Sequence, residues 1–110
     1  MVQGEAMSNL GQVLEIVKWR SNPQVSDEEM IAAVDAMVVD LKKLNGFLDQ
    51  TLYKNHHGDW IDIYYWETEK DAHDSNTRMA DKETFKNLIA LIDTDSVSIE
   101  IMHPLQTART

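Results

Sequence analysis

Four carboxylates stand near the middle of four predicted β-strands, one in each strand: Glu15, Asp49, Asp62 and Glu100. Side chains alternate between the two faces of a strand, so aligned registers would place all four on one sheet face. An unpaired buried carboxylate is costly and must pair, bind a cation or take up a proton. The pattern therefore indicates a polar chamber or a cation site. It also fits ordinary acids on a solvated face, or acids paired with nearby bases after a bulge shifts the alternation.

Large aromatic side chains share the alternation of these acids. Trp19, Trp60, Trp66 and Tyr64 all fall on the face that would carry the carboxylates. Three exposed tryptophans would form an apolar patch at or above the largest that is usual for a monomer. We therefore expect this face to be covered, most simply by the same face of a second subunit.

The opposite sheet face is predicted to be almost wholly apolar and to pack under the helices. Its predicted members are Leu14, Ile16, Leu48, Leu52, Ile61, Ile63, Tyr65, Val97, Ile99 and Ile101.

Histidine offers one further candidate for proton transfer. His73 could act as a general base near neutral pH, or it could be a surface residue between Asp71 and Asp74 on a helix. Strand acids without histidine or cysteine partners are weak evidence for a metal, so no metal site is predicted. Glycine-rich phosphate loops, Ser–His–Asp spacings and HExxH spacings are absent from the sequence.

The elements that must position these residues follow the order strand, helix, strand, strand, helix, strand. The predicted strands are residues 12–20, 47–54, 59–67 and 96–103. Ser26 and Glu29 predict a capping box at the start of the first helix, and Asn45-Gly46 predicts its left-handed exit. A second helix is predicted to start after Thr68 and to break near Ala80, before a further helix capped by Asp81.

This order predicts an α+β protein with a ferredoxin-like βαββαβ fold. Right-handed crossovers put strands one and three in the middle of a four-stranded antiparallel sheet, with the helices on one face. We expect a disordered N-terminal arm at residues 1–11, a single domain at residues 12–103 and a C-terminal tail at residues 104–110.

Composition narrows the possible partners. The 110 residues carry a formal charge of −9, which argues against nucleic acid and anionic membranes as partners. No cysteine is present, so disulfides and thiolate chemistry are excluded, and a cytoplasmic location is expected. No apolar run approaches the roughly 20 residues that a membrane helix needs.

Two short motifs resemble a known family across most of the chain. The first helix ends in Asn45-Gly46-Phe47, and residues 64–72 read YYWETEKDA, a third strand that ends in an aromatic residue and leads into a helix. Together with the element order, these motifs resemble the dimeric α/β-barrel superfamily and, within it, the antibiotic biosynthesis monooxygenase-like proteins. The resemblance implies a homodimer whose two sheets face each other, with the helices outside.

The resemblance also implies an activity, the cofactor-independent oxygenation of an aromatic or polyketide-like molecule. Trp66 matches the family tryptophan at the end of strand three. Strand one has no asparagine, and Gln12 or Glu15 stands nearest to that family position. A family histidine lies later in the second helix, where this chain has Ser75 or Asn76.

The resemblance and the residue pattern together give one set of candidate site residues. The predicted catalytic residues are Trp66, His73 and Glu15, and the predicted pocket residues are Trp19, Asp62, Tyr64, Asp49 and Glu100. No cofactor is predicted. Two alternatives stay open: a non-enzymatic dimer that binds a ligand or responds to stress, and a heme-handling protein with His73 as axial ligand.

Overall fold

Residues 12–110 form four strands and three helices in the predicted order. The computed structural model describes residues 12–110, so the predicted arm at residues 1–11 lies outside the described residues. The elements are β1 (Val13–Ser21), α1 (Asp27–Leu41), β2 (Phe47–Lys54), β3 (Trp60–Trp66), α2 (Glu69–Met79), α3 (Glu83–Ile89) and β4 (Ile92–Met102).

The helix starts are largely set by local sequence. Ser26 Oγ accepts a hydrogen bond from the Glu29 amide at 3.1 Å, and Glu29 Oε1 accepts from the Ser26 amide at 3.0 Å, which confirms the capping box of α1. Thr68 caps α2 through the Asp71 amide. The predicted helix α3 is present, but its predicted N-cap, Asp81, was wrong: the N-cap is Lys82, whose side chain makes no capping hydrogen bond.

Strand β4 begins at Ile92 rather than at the predicted Ser96. Its pairing with β1 shifts register between Lys18 and Arg20. There Ser96 Oγ accepts from the Arg20 amide at 2.8 Å and donates to the Asp93 carbonyl at 2.6 Å. The Ser96 side chain thus takes the place of a backbone hydrogen bond between the two strands, and β4 extends through the polar residues 93–95.

The sheet has the order β2-β3-β1-β4, with antiparallel neighbours throughout. Strands one and three are central, as the crossover rule predicted. None of the helices within residues 12–110 is long and apolar enough to cross a membrane.

On β1 and β3 the two faces are exchanged relative to the prediction, whereas Leu52 of β2 and Val97, Ile99 and Ile101 of β4 lie on the helix side, as predicted. The face with the tryptophans lies under the helices: Trp19 and Trp66 are buried with Met30, Met37 and other helix residues in one core. Alternation along a strand separates two faces but does not say which of them the helices cover. Burial of the large aromatic side chains removes much apolar surface from water, and the acids of this face accept hydrogen bonds from Gln50, Tyr64 and Trp66.

A bulge in β2 also separates the four strand acids. The register between β2 and β3 shifts between Phe47 and Asp49, so Gln50 and not Asp49 lies across from Tyr64. Asp49 pairs instead with Tyr65 on the helix-free face. Glu100 pairs with Ile16 on that same face. The predicted chamber of four carboxylates is therefore wrong, and only Glu15 and Asp62 remain together beneath the helices.

The helix-free face carries an apolar row across all four strands. Leu14 lies across from Tyr65, Ile16 from Ile63 and Lys18 from Ile61. Tyr53 of β2 and Met102 of β4 extend the row and are 53% and 40% exposed. We call these residues the open face: Leu14, Ile16, Tyr53, Ile61, Ile63, Tyr65 and Met102.

Candidate functional site

A cavity of about 110 Å³ lies between the sheet and the three helices. The sheet contributes its aromatic and acidic face, α1 contributes methionine and leucine, and α2 and α3 close the sides. The lining residues are Glu15, Val17, Trp19, Met37, Leu41, Tyr64, Trp66, Ser75, Asn76, Met79, Phe85, Leu88, Ile89, Ile92, Val97 and Ile99. The wall is mainly apolar, with a few polar groups grouped on the sheet and on α2, as in ligand sites generally.

Glu15 and Trp66 form the first polar pair of this cavity. Both are buried, with exposed fractions of 3% and 0%. Trp66 Nε1 donates to Glu15 Oε1 at 2.9 Å. Burial raises the pKa of Glu15, and the Trp66 hydrogen bond, the charge of His73 and the Asn76 side chain offset part of that rise. A carboxyl group held in this way can exchange a proton nearer to neutral pH than an exposed glutamate can.

Asp62 and Tyr64 form the second pair, on the same face of β3. The Tyr64 hydroxyl donates to Asp62 Oδ2, and Gln50 Nε2 donates to Asp62 Oδ1 at 2.6 Å. Asp62 is fully buried, and burial raises its pKa from 3.8 to about 6, although both hydrogen bonds act to lower it. Burial and the Asp62 charge raise the pKa of Tyr64 well above its ordinary value. Tyr64 lines the cavity and Asp62 does not, so Asp62 reaches the cavity only through Tyr64.

Trp19 closes another part of the cavity wall. It is 2% exposed, and its indole Nε1 is buried without an acceptor among residues 12–110. A buried N–H of this kind usually finds a partner. An oxygen atom of a bound molecule would satisfy it.

His73 lies outside the cavity lining. It is on the exposed side of α2, where its Nε2 is 3.2 Å from Glu69 Oε2, while His103 Nε2 is 2.7 Å from Glu69 Oε1. Both histidines hold the pKa of Glu69 below its usual range through their hydrogen bonds. His73 reaches the cavity only through its charge.

Of the other predicted site residues, Trp19, Tyr64, Trp66 and Glu15 line the cavity, whereas Asp49 and Glu100 lie across the sheet on the helix-free side. Gln50, which donates to Asp62, was not among the predicted site residues. No local signal marks it, because its inward position depends on the bulge before it. Within the described part of the chain, no group of histidines and acids is arranged to hold a metal ion.

A second cavity of about 410 Å³ lies between the C-terminal tail and the start of β1. Gln12, Met102, His103 and Arg109 are among its lining residues. It holds no buried acid, so the cavity beneath the helices is the stronger candidate.

Comparison with known proteins gives structural neighbours only. No protein-family model and no curated protein sequence matches the chain. A point mutant of SnoaB, a cofactor-independent oxygenase from Streptomyces nogalater, superposes with a TM-score of 0.73 at 13% identity, over 88% of this chain and 96% of that one.

Two further neighbours superpose equally well. A Bordetella bronchiseptica protein, provisionally assigned as an antibiotic biosynthesis monooxygenase, gives a TM-score of 0.75 at 15% identity, over 87% of this chain and 99% of that one. A conserved protein from Methanosarcina mazei gives 0.71 at 19% identity, over 89% and 97%. The chain thus has the fold of the antibiotic biosynthesis monooxygenase-like proteins, as its sequence resemblance predicted.

Proposed function

We propose that this protein is a small monooxygenase-like protein that binds an aromatic molecule in the cavity beneath the helices and needs no added cofactor. The observation that carries this proposal is the pairing of a buried carboxyl group, Glu15, with the indole of Trp66 inside an otherwise apolar cavity. Buried acids with raised pKa values in a concave site are typical of positions that exchange protons with a ligand.

The proposed chemistry uses the ring of the ligand itself. Glu15, or Asp62 acting through Tyr64, would take a proton from a ring hydroxyl, and the resulting electron-rich anion would supply the electrons that reduce O₂. One oxygen atom would bond to a ring carbon and become a carbonyl as that carbon loses its hydrogen, and the other oxygen atom would leave as water, so the ring is oxidised to a quinone. Trp66, Tyr64 and Trp19 would hold the ring. His73 enters this proposal only through its charge, which lowers the pKa of Glu15. The fold that the chain shares with SnoaB, described as a cofactor-independent oxygenase, supports this choice.

Cavity size limits the first ligands to test. Drug-sized ligands occupy cavities of about 300–1,000 Å³, and a dry protein cavity of about 150 Å³ binds benzene. The cavity here, at about 110 Å³, suits one ring, and a polycyclic molecule would have to displace a wall. Helix α3, seven residues long and without a side-chain N-cap bond, is the wall element with the least local support.

Oxygen uptake tests the proposal directly. The protein is mixed with single-ring and two-ring phenols without added metal or flavin, and oxygen is followed with an electrode while tryptophan fluorescence reports binding. We expect binding and uptake, with uptake reduced in Glu15→Gln and binding retained. Asp49→Asn, on the open side of the sheet, serves as the matched control. Binding without uptake would instead support the non-enzymatic ligand-binding alternative, and absence of binding would refute both.

We further propose that the protein is a homodimer that pairs through the open face. The expectation of a dimer came from the tryptophans, which lie under the helices instead. The other side of the sheet is also apolar, and an apolar surface of this kind is typical of an interface with another chain. The residues of this apolar row are Leu14, Ile16, Ile61, Ile63 and Tyr65. A cytoplasmic location stays a prediction.

The heme alternative has no geometric support. His73 does not line the cavity, and a volume of about 110 Å³ is far below what a porphyrin requires. We therefore do not propose heme binding.

A further inference from the structure

The Gln50–Asp62–Tyr64 chain is a buried polar feature that does more than pair two strands. Its three side chains come from two strands and meet beneath the helices, and only its last member, Tyr64, faces the cavity. A buried charge of this kind is costly, so its presence is weak evidence for a role in stability. The arrangement decides whether the Tyr64 hydroxyl is a hydrogen-bond donor or an acceptor toward a molecule in the cavity.

The direction of the hydrogen bonds follows from the chemistry of each group. An ionised carboxylate can only accept hydrogen bonds, so the Tyr64 hydroxyl donates its single proton to Asp62. The Tyr64 oxygen then keeps only acceptor capacity, and Tyr64 belongs to the cavity wall. Glu15 has one carboxylate oxygen engaged by Trp66, and its second oxygen is also an acceptor when ionised. The sheet side of the cavity therefore presents acceptors next to each other.

We infer that Asp62 is a positioning residue: by holding the Tyr64 proton, it makes the cavity select a ring that donates a hydroxyl over a ring that offers only acceptor oxygens. This inference rests on the proposed function, since it assigns the ligand class of the same cavity. The expected ligands are phenols and related hydroxyl donors. Ethers, carbonyl compounds and quinones of similar size are expected to bind less well.

Replacement of Asp62 by asparagine should reverse the polarity of this wall. Gln50 Nε2 would hold the asparagine oxygen, as it holds Asp62 Oδ1 at 2.6 Å. The asparagine NH₂ group would then face Tyr64 and donate to its oxygen. The Tyr64 hydroxyl, no longer committed, would turn its proton toward the cavity and favour an acceptor.

Low pH should act in the same direction as this substitution. A protonated Asp62 donates to Tyr64, which frees the Tyr64 proton for the cavity. The titratable groups close to Asp62 are Tyr64 on the same strand and Glu15 on β1. His73 on α2 acts on Glu15 through its charge. Gln50 on β2 is uncharged. Because Glu15 also titrates, the pH experiment is done in both the wild type and Glu15→Gln.

The experiment measures dissociation constants of phenol and of its methyl ether, anisole, by tryptophan fluorescence or calorimetry. At neutral pH the wild type should prefer phenol by about five- to tenfold, the effect of one hydrogen bond. The ratio should fall to about one or invert in Asp62→Asn, and should fall in Tyr64→Phe. It should stay unchanged in Asp49→Asn. Comparing ratios between variants cancels the contribution of the extra methyl group.

Each outcome decides the matter. If the preference for phenol over anisole is equal in the wild type and Asp62→Asn, the inference is refuted. A wild-type preference near one, with both ligands bound, also refutes it. In both cases the proposed ligand site stands. If neither ligand binds, the proposed function fails and the inference fails with it. If Asp62→Asn does not fold, the pH series decides: the ratio should fall as pH drops through about 6 in both the wild type and Glu15→Gln. A constant ratio overturns the inference.

Discussion

Asp62→Asn should stabilise the folded protein at neutral pH. Asp62 is 0% exposed, and its two hydrogen-bond donors, Gln50 and Tyr64, are neutral. Burial raises its pKa from 3.8 to about 6. That difference corresponds to about 3 kcal/mol of free energy against the ionised form in the folded state. Asparagine is nearly isosteric: its oxygen can still accept from Gln50, and its NH₂ group can donate to the Tyr64 oxygen, so the substitution removes the charge without leaving a cavity.

The pH dependence gives the sign of the effect. Below about pH 4, the folded and unfolded chains both carry the Asp62 proton, and the two proteins should be equally stable. Between pH 3.8 and about pH 6, the unfolded chain releases the Asp62 proton while the folded chain keeps it, so the free energy of unfolding of the wild type falls as pH rises. Above about pH 6 the folded chain has also released the proton, and the wild type loses no further stability through Asp62. The advantage of Asp62→Asn should therefore grow with pH to at most about 3 kcal/mol.

Urea unfolding followed by tryptophan fluorescence measures this difference at several pH values. Protein concentration is held constant, because any dimer adds a concentration-dependent contribution to stability. The other acids are the same in both proteins and cancel in the comparison. Asp49→Asn, an exposed acid of β2, should change stability by no more than about 0.5 kcal/mol. Equal or lower stability of Asp62→Asn at neutral pH, with no dependence of the difference on pH, would refute the reasoning.

Three other perturbations test other parts of the structure. Ile63→Lys places a charge at the centre of the open face and should lower the apparent mass in light scattering from dimer to monomer, whereas an unaffected mass would argue against pairing through this face. Gly46→Ala should destabilise more than Gly58→Ala in thermal melts: both residues have positive φ, at 80° and 89°, but only at Gly46 would the added methyl group collide with Asp71. Glu15→Leu should cost about 1–3 kcal/mol in urea unfolding because it orphans a buried indole N–H, whereas Glu15→Gln keeps an acceptor and should cost much less; equal losses would contradict this account.

A buried acid that lowers stability is expected where it serves a function. Natural proteins tolerate such groups at sites, since selection acts on activity once stability suffices. The stability experiment on Asp62 and the ligand experiment on Tyr64 are therefore linked. Together, a gain in stability and a loss of phenol preference in the same variant would show that the carboxylate is kept for what it does to the cavity.

Local sequence determined the elements of this protein. Ser26 and Glu29 set the start of α1, Gly46 and Gly58 supply the positive φ of two turns, and the helix break falls at Ala80 as predicted. These features depend on residues a few positions apart, whose hydrogen bonds and backbone preferences need no distant partner. The strand order follows from them by the handedness of crossover connections.

The tertiary structure alone decided what the strand acids do. Alternation places Glu15, Asp62, Trp19 and Trp66 on one face, but the helices must pack before that face becomes a cavity wall. The bulge after Phe47 carries Asp49 to the other side and Gln50 inward, and a one-residue shift of register reverses every side chain that follows it. Register is a property of two strands together, so neither strand's sequence states it. The choice of face depends on the total area that the whole core can bury.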